Sequence, residues 1–173
     1  NMFDPAASFA GVAWGADETA QELILNNKIQ PVIIVAIYNT GDRMDEYTPV
    51  RSHGRGGRAD EYGRWLTDEL KPFIDREYRT MPQREFTGVG GSSLGGLFAL
   101  HMGFSRPEVF GRIAAISPAA WWANGSILRE ASALNGRLPL RIWLDMGRRE
   151  GRHYLQQTRL LQDILRSKGW QKS

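Results

Sequence analysis

The sequence predicts an α/β fold, a three-layer sandwich built on a mostly parallel sheet. Three observations carry that prediction. The chain has 173 residues, which suits one domain with a real hydrophobic core. Helical and strand signals alternate from end to end, with no internal repeat and no low-complexity linker. In the middle of the chain, a glycine-rich turn carrying a serine stands between a strand signal and a helix signal.

The elements follow in order. Asp17 is placed to cap a helix running to about Asn27, with Ala20, Leu23 and Ile24 on one face and Asn26-Asn27 as its stop. Pro31 to Ile37 reads as a strand. Residues 39–57 have no sustained period and end in Ser52-His53-Gly54-Arg55-Gly56-Gly57, which reads as a long mobile loop of the kind that serves a site. Tyr62, Trp65, Leu66, Leu70, Phe73, Ile74 and Tyr78 recur every three or four residues, the stripe of a helix kinked at Pro72.

A short strand is expected over Phe86–Gly90, a helix over Leu94–Phe104, a strand over Arg112–Ile116 and a helix over Ile127–Leu134, closed by Asn135-Gly136. Leu140–Leu144 forms a further strand. A last helix runs from about Arg152 to Ser167, with Tyr154, Thr158, Leu161 and Leu165 on one face and Gly169 after its end. Strands interleaved with helices imply a parallel sheet covered on both faces.

Composition narrows the function classes. Hydrophobic residues make up 42% and charged residues 24%, ordinary globular usage that excludes a disordered chain. The longest apolar run, Val32 to Ile37, falls far short of the roughly 18 residues a membrane helix needs, so no membrane association is expected. Cysteine is absent, which removes disulfides, zinc-thiolate sites and a cysteine nucleophile together. The cations are 18 Arg and 4 Lys against 19 acids, and a net charge of +3 is no nucleic-acid footprint. Asn1-Met2-Phe3-Asp4 shows no basic segment leading into an apolar one, so no signal peptide is read there.

The most informative string is Phe86-Thr87-Gly88-Val89-Gly90-Gly91-Ser92-Ser93-Leu94-Gly95-Gly96. Gly91, Ser92, Ser93, Leu94 and Gly95 match G-x-S-x-G between strand and helix, the context of a nucleophile elbow. A serine on so tight a turn needs small residues two before and two after it, positions that Gly91 and Gly95 hold. Ser93 then stands at a helix N-terminus, where unpaired N–H groups favour a developing oxyanion, and the Leu94 N–H is the first donor. Centring the motif on Ser92 would put Gly90 and Leu94 at the clearance positions. A phosphate loop is excluded because Gly96 stands where its lysine should. The competing reading is that the glycines merely let strand and helix cross closely.

Together with Asn1-Met2-Phe3-Asp4, Glu46-Tyr47-Thr48-Pro49, Glu69-Leu70-Lys71-Pro72-Phe73-Ile74 and Ser117-Pro118-Ala119-Ala120-Trp121-Trp122, this string resembles the putative esterase family. That group includes esterase D, enterochelin esterase and antigen 85, within the α/β-hydrolase fold. The resemblance spans nearly the whole chain. It implies a serine, acid and histidine acyl hydrolase acting on small-molecule esters, in one α/β-hydrolase domain over residues 1–173 that lacks a strand at each end.

In that fold the triad runs Ser, then Asp or Glu, then His along the chain. The resemblance puts the acid at Glu150, three residues after Gly147 in Asp145-Met146-Gly147-Arg148-Arg149-Glu150-Gly151, with Asp145 as the fallback acid. The family carries its histidine after one more strand, beyond the last helix. His53 and His101 precede the acid. His153 follows it but sits three residues away, too close to be delivered from a different loop over Ser93.

Trp121 and Trp122 follow a strand at the ligand-binding edge of a parallel sheet, and at least one is expected as a pocket wall. Tyr38 and Arg43 are further pocket candidates, with an Arg43–carboxylate pair as the alternative use of Arg43. No metal or other cofactor is expected. A sheet short of edge strands leaves pairing groups that favour a homo-oligomer. Two other functions stay open: an acyltransferase using the same residues, and a catalytically impaired domain that keeps the cleft and serves as a binding module.

Overall fold

A computed structural model describes residues 3, 6 and 11–171 of the chain. Of the Asn1–Asp4 motif only Phe3 is among them, and Lys172 and Ser173 also lie outside. The chain divides into two compact units, residues 1–41 and residues 42–173.

In the first unit, helix α1 spans Ala16–Leu25. Its N-cap is Gly15, in the left-handed region at φ 60°, and Asp17 lies in the first turn instead of capping. Asn27, also left-handed at φ 55°, ends it, and the Lys28 N–H closes back on the Leu23 carbonyl at 2.8 Å. The strand expected over Pro31–Ile37 is not formed. A strand exists only through a ladder to a neighbour, and none among the described residues pairs with this segment, whose Val32, Ile33 and Val35 are 42–50% exposed.

The second unit holds the sheet. Strands β1 (Gly88–Ser92), β2 (Arg112–Ile116) and β3 (Arg141–Leu144) pair in parallel in the order β1-β2-β3. β1 starts two residues later than the periodicity predicts, because a 3-10 turn takes up Arg84–Phe86. Helix α5 (Leu94–Ser105) packs on β1 and β2. Its residues Gly96 to Phe104 are buried on every side, as befits a helix apolar all round. Leu97, Leu100 and Met102 of this helix meet Ile127, Leu140 and Leu161 in the core.

Two further elements differ from expectation in instructive ways. The helix kinked at Pro72 is α3 (Ala59–Trp65), a π-helical turn (Leu66–Leu70) and α4 (Lys71–Glu77). Proline has no N–H and its ring crowds the carbonyl four residues back, and the wider turn accommodates this, with the Lys71 N–H bonding the Leu66 carbonyl. Residues 39–57 contain a short helix, α2 (Arg43–Glu46), and a hydrogen-bonded turn in place of a free loop. The Gly57 N–H reaches the Thr48 carbonyl at 3.0 Å, and the Arg58 N–H reaches the Asp45 carbonyl at 2.9 Å. Thr48 is fully buried, its hydroxyl donating to the Met44 carbonyl at 2.8 Å. An apparently aperiodic stretch is thus closed by a buried threonine and by glycines at positive φ, Gly56 and Gly57.

Helix α6 (Trp122–Ala133) is broken near its start by Ala123, Asn124 and Gly125, all in left-handed conformations, so its regular right-handed run begins after Gly125, close to the Ile127 start expected from the sequence. The Arg129 guanidinium donates to the Asn124 and Ala123 carbonyls at 2.7 and 2.8 Å, satisfying the groups this reversal turns outward. Helix α7 (Arg152–Ser167) packs on α6 and closes with Gly169 at φ 105°. Among the described residues, no helix is long and apolar enough to cross a membrane.

Candidate active site

The parallel register carries Ser92 opposite Ile116, and Ala115 opposite Leu144. The next residues along, Ser93, Ser117 and Asp145, therefore emerge together at the carboxyl edge of the sheet, where open parallel sheets bind their ligands.

Ser93 connects β1 to α5 at φ 57° and ψ −117°, a backbone region that residues with a Cβ rarely enter. Three backbone bonds hold it there. Its N–H donates to the Ile116 carbonyl at 3.0 Å, and its own carbonyl accepts from Leu97 at 3.0 Å and from Ala119 at 2.9 Å. Ser93 is exposed while Leu94 is buried. Leu94 supplies the first amide of the helix, whose N–H has no carbonyl one turn earlier to bond.

The flanking glycines play unequal parts. A Cβ on Gly91 would lie 2.7–2.9 Å from the backbone of Gly95, so this position admits only hydrogen. A Cβ on Gly95 would meet nothing within 4 Å. The second tight position is Gly96, where a Cβ would lie 3.1–3.2 Å from the Gly91 carbonyl, Pro118 and the Ile116 carbonyl. Both members of the motif were expected to provide clearance. Gly95 instead contributes the backbone that Gly91 must clear.

The two acids occupy different positions. Asp145 is tied into the end of the sheet: one carboxylate oxygen accepts from the Ser117 N–H at 2.9 Å and the other from the Trp143 indole at 3.2 Å. Glu150, exposed, accepts on Oε1 from the Ser117 hydroxyl at 2.5 Å and from the Gly147 N–H at 3.0 Å. Ser117 was not singled out from the sequence as a site residue. Its signal was available, since it follows β2 as Ser93 follows β1.

Among the described residues, none of the three histidines hydrogen-bonds the Ser93 hydroxyl. His53 lies in the Ser52–Arg55 turn at φ 49°. His153 stands edge-on to Tyr154, ring centres 5.8 Å apart. His101 is buried on α5 with Nδ1 2.9 and 3.0 Å from the Glu130 carboxylate oxygens and Nε2 3.1 Å from Asp60. Both ring nitrogens face acceptors, which the doubly protonated imidazolium satisfies and the neutral ring cannot.

Burial alone pushes the His101 pKa down, but the bonds and charges of Glu130 and then Asp60 outweigh it, and the net shift is upward from 6.5. A folded-state value above the unfolded one makes this stabilisation complete below about pH 6.5 and lost as pH rises through the folded value. Urea unfolding should therefore show stability falling from pH 6 to pH 9. His101→Gln should flatten that slope and lose about 2 kcal/mol at pH 6. Parallel pH dependences in the two proteins would refute the pairing.

The paired tryptophans separate. Trp122 is 7% exposed and donates its indole N–H to the Val50 carbonyl at 2.7 Å, anchoring the turn below it. Trp121 is 40% exposed, with Tyr154 of α7 6.0 Å away, ring to ring. The Arg43 guanidinium lies over the Tyr47 ring, 5.7 Å from its centre. Tyr47 and Tyr62 are half-buried beside Phe98 of α5, and burial raises the pKa of both phenols. Tyr38 is 68% exposed and belongs to the 1–41 unit.

Comparison with known proteins adds a family. A family model described as "Esterase: Putative esterase" matches residues 11–173. Uncharacterized protein YbbA of Bacillus subtilis is 25% identical over 167 residues, covering 88% of this chain and 66% of that protein. The siderophore enterobactin esterase of Emericella nidulans is 43% identical over 77 residues, covering 43% of this chain and 25% of that protein. The chain thus spans less than two thirds of the length of either relative. Among solved structures, the enterobactin esterase FES from Shigella flexneri superposes with a TM-score of 0.58 at 28% identity, over 62% of this chain and 29% of that one.

Proposed function

Because the chain belongs to the putative esterase family, whose model spans residues 11–173, we propose that it is a serine ester hydrolase working through an acyl-enzyme on Ser93. The observation that carries this reading is the Ser93 turn itself. A strained serine is presented at the sheet edge by three backbone bonds, directly before the free N–H groups of a buried helix.

In this reading the Ser93 hydroxyl oxygen attacks the ester carbonyl, and its proton passes to the imidazole that the resembled family carries beyond the last helix, which Glu150 would orient; none of His53, His101 and His153 is assigned that role. The Leu94 N–H donates to the carbonyl oxygen as it becomes an oxyanion, helped by the positive end of α5. The alkoxide leaves with the proton returned by the imidazole. Water then attacks the acyl group and releases Ser93. His101 is unsuited to be that imidazole, since both its nitrogens are taken by carboxylates. Asp145 keeps the strand end in place, and Trp121 walls the substrate cleft together with Arg43. Relatives named as enterobactin and ferri-bacillibactin esterases make a siderophore ester the substrate class to test first.

A fluorophosphonate probe tests the nucleophile directly, because an unactivated serine reacts poorly with it. The expected result is one adduct per chain, mapped by mass spectrometry to Ser93 and absent in Ser93→Ala. Failure to label, or labelling that survives the substitution, would overturn the assignment and favour a binding domain. Partition of acyl product to an added alcohol would mark acyl transfer instead.

A further inference from the structure

We infer that Ser117 is a positioning residue for the acid, a role that rests on the reading of Glu150 as the group orienting the base. Ser117 stands where three pieces of the site meet. Its neighbours Ile116 and Ala119 hold both backbone polar groups of Ser93, at 3.0 and 2.9 Å. Its N–H holds Asp145 at 2.9 Å, and its hydroxyl holds Glu150 at 2.5 Å. One short turn after β2 thus links the backbone of the nucleophile to the carboxylate, across 33 residues of chain between Ser117 and Glu150.

The conformation of Ser117 argues for a specific use. It sits at φ 43°, in the left-handed region that favours glycine and asparagine over a residue with a short hydroxyl-bearing side chain. A glycine there would relax the backbone. A serine keeps that strain and gains one thing a glycine cannot supply, a donor aimed at Glu150.

The opposite wall of the carboxylate is shaped to match. The Gly147 N–H donates to the same Oε1 at 3.0 Å, and a Cβ on Gly147 would lie 2.5 Å from that oxygen. The acid loop therefore leaves space for the carboxylate against its own backbone. Two donors fix Oε1 in that space, which leaves Oε2 to accept from an imidazole N–H. Glu150 is exposed, so without these two bonds its side chain would wander among rotamers.

Three substitutions separate this role from a structural one. Ser117→Gly removes the hydroxyl while relieving the strained φ. Gly147→Ala fills the space with a methyl group whose nearest neighbours are all in the movable Glu150 side chain. Glu150→Gln removes the acid itself. With p-nitrophenyl butyrate as substrate, Ser117→Gly and Gly147→Ala should each lower kcat about tenfold and change KM less than about twofold. The melting temperature of Ser117→Gly should stay level or rise. In the Glu150→Gln background, Ser117→Gly should lower kcat by less than about twofold more, because the group it positions is already gone.

Full kcat in Ser117→Gly, or a loss that multiplies with that of Glu150→Gln, overturns the positioning role. If Glu150→Gln keeps full kcat while Ser93→Ala has none, the acid assignment fails and the role of Ser117 with it. If the unsubstituted protein turns over no faster than Ser93→Ala, the esterase reading fails first.

Discussion

Ser93→Gly is expected to abolish ester turnover and yet raise the stability of the fold. Loss of the nucleophile should reduce kcat by at least about 10³-fold, leaving only what the oxyanion donors and substrate binding contribute. Stability responds in the other direction. At φ 57° and ψ −117°, Ser93 holds a Cβ where few residues tolerate one, a strain of order 1–3 kcal/mol. Glycine removes it, offset by about 0.5–1 kcal/mol from the greater freedom of the unfolded chain, for a net gain near 1 kcal/mol. Ser93→Ala should be equally inactive but should keep the Cβ and the strain, so its stability should match that of the unsubstituted protein. Initial rates on p-nitrophenyl butyrate, with urea unfolding of all three proteins, check both halves. A Ser93→Gly protein less stable than Ser93→Ala would show that the turn is not strained.

Gly91→Ala should damage the fold and the site together. Its Cβ would lie 2.7, 2.8 and 2.9 Å from the Gly95 carbonyl carbon, carbonyl oxygen and Cα, and backbone at the start of a buried helix cannot step aside. Overpacking of this kind loses about 2–3 kcal/mol, and any relief must come from moving α5 away from β1. That movement would drag the Leu94 N–H from Ser93, so turnover should fall with stability. Gly95→Ala is the control. It adds the same methyl group two residues beyond Ser93, into open space in the first turn of a helix, and should stabilise by about 0.5–1 kcal/mol. Thermal unfolding of the two variants side by side decides the matter. Equal melting temperatures would mean that the strand–helix crossing is looser than these distances state.

The contrast between Gly91 and Gly95 shows how far the motif could be read without coordinates. The spacing G-x-S-x-G places a tight turn correctly and puts Ser93 at its apex, because the turn depends on φ and ψ of a few adjacent residues. Which glycine is indispensable depends on which backbone crosses which, and that is a matter of how β1 and α5 pack. The same division runs through the fold. Arg112–Ile116 and Arg152–Ser167 occupy the bounds the periodicity predicts, since alternation over a strand and an amphipathic stripe over four turns are local patterns. Pro31–Ile37 has as strong an apolar run as any strand here and yet forms none, since no neighbour among the described residues offers it a ladder. Residues 39–57 read as loop for lack of a period, and their order comes from Thr48, Asp45 and Trp122 bonding across the turn.

The candidate site divides along the same line. Ser93, Leu94 and their helix N-terminus were legible, being consecutive residues whose geometry follows from glycine, strand and helix signals within a dozen positions. So was the choice of Glu150 and Asp145 as the acids to consider, through resemblance and chain order. Their different bonds were not. Asp145 braces a strand end and Glu150 is held by Ser117 only because parallel pairing brings the ends of β1, β2 and β3 to one edge, a consequence of register. His101 makes the same point from the interior: nothing near it in sequence foretells Asp60, 41 residues earlier, or Glu130, 29 later. Backbone conformation is governed by sterics among neighbours and is written locally. The partner of a polar side chain is chosen by whatever the packed core brings within about 3 Å, and that is settled when the helices close on the sheet.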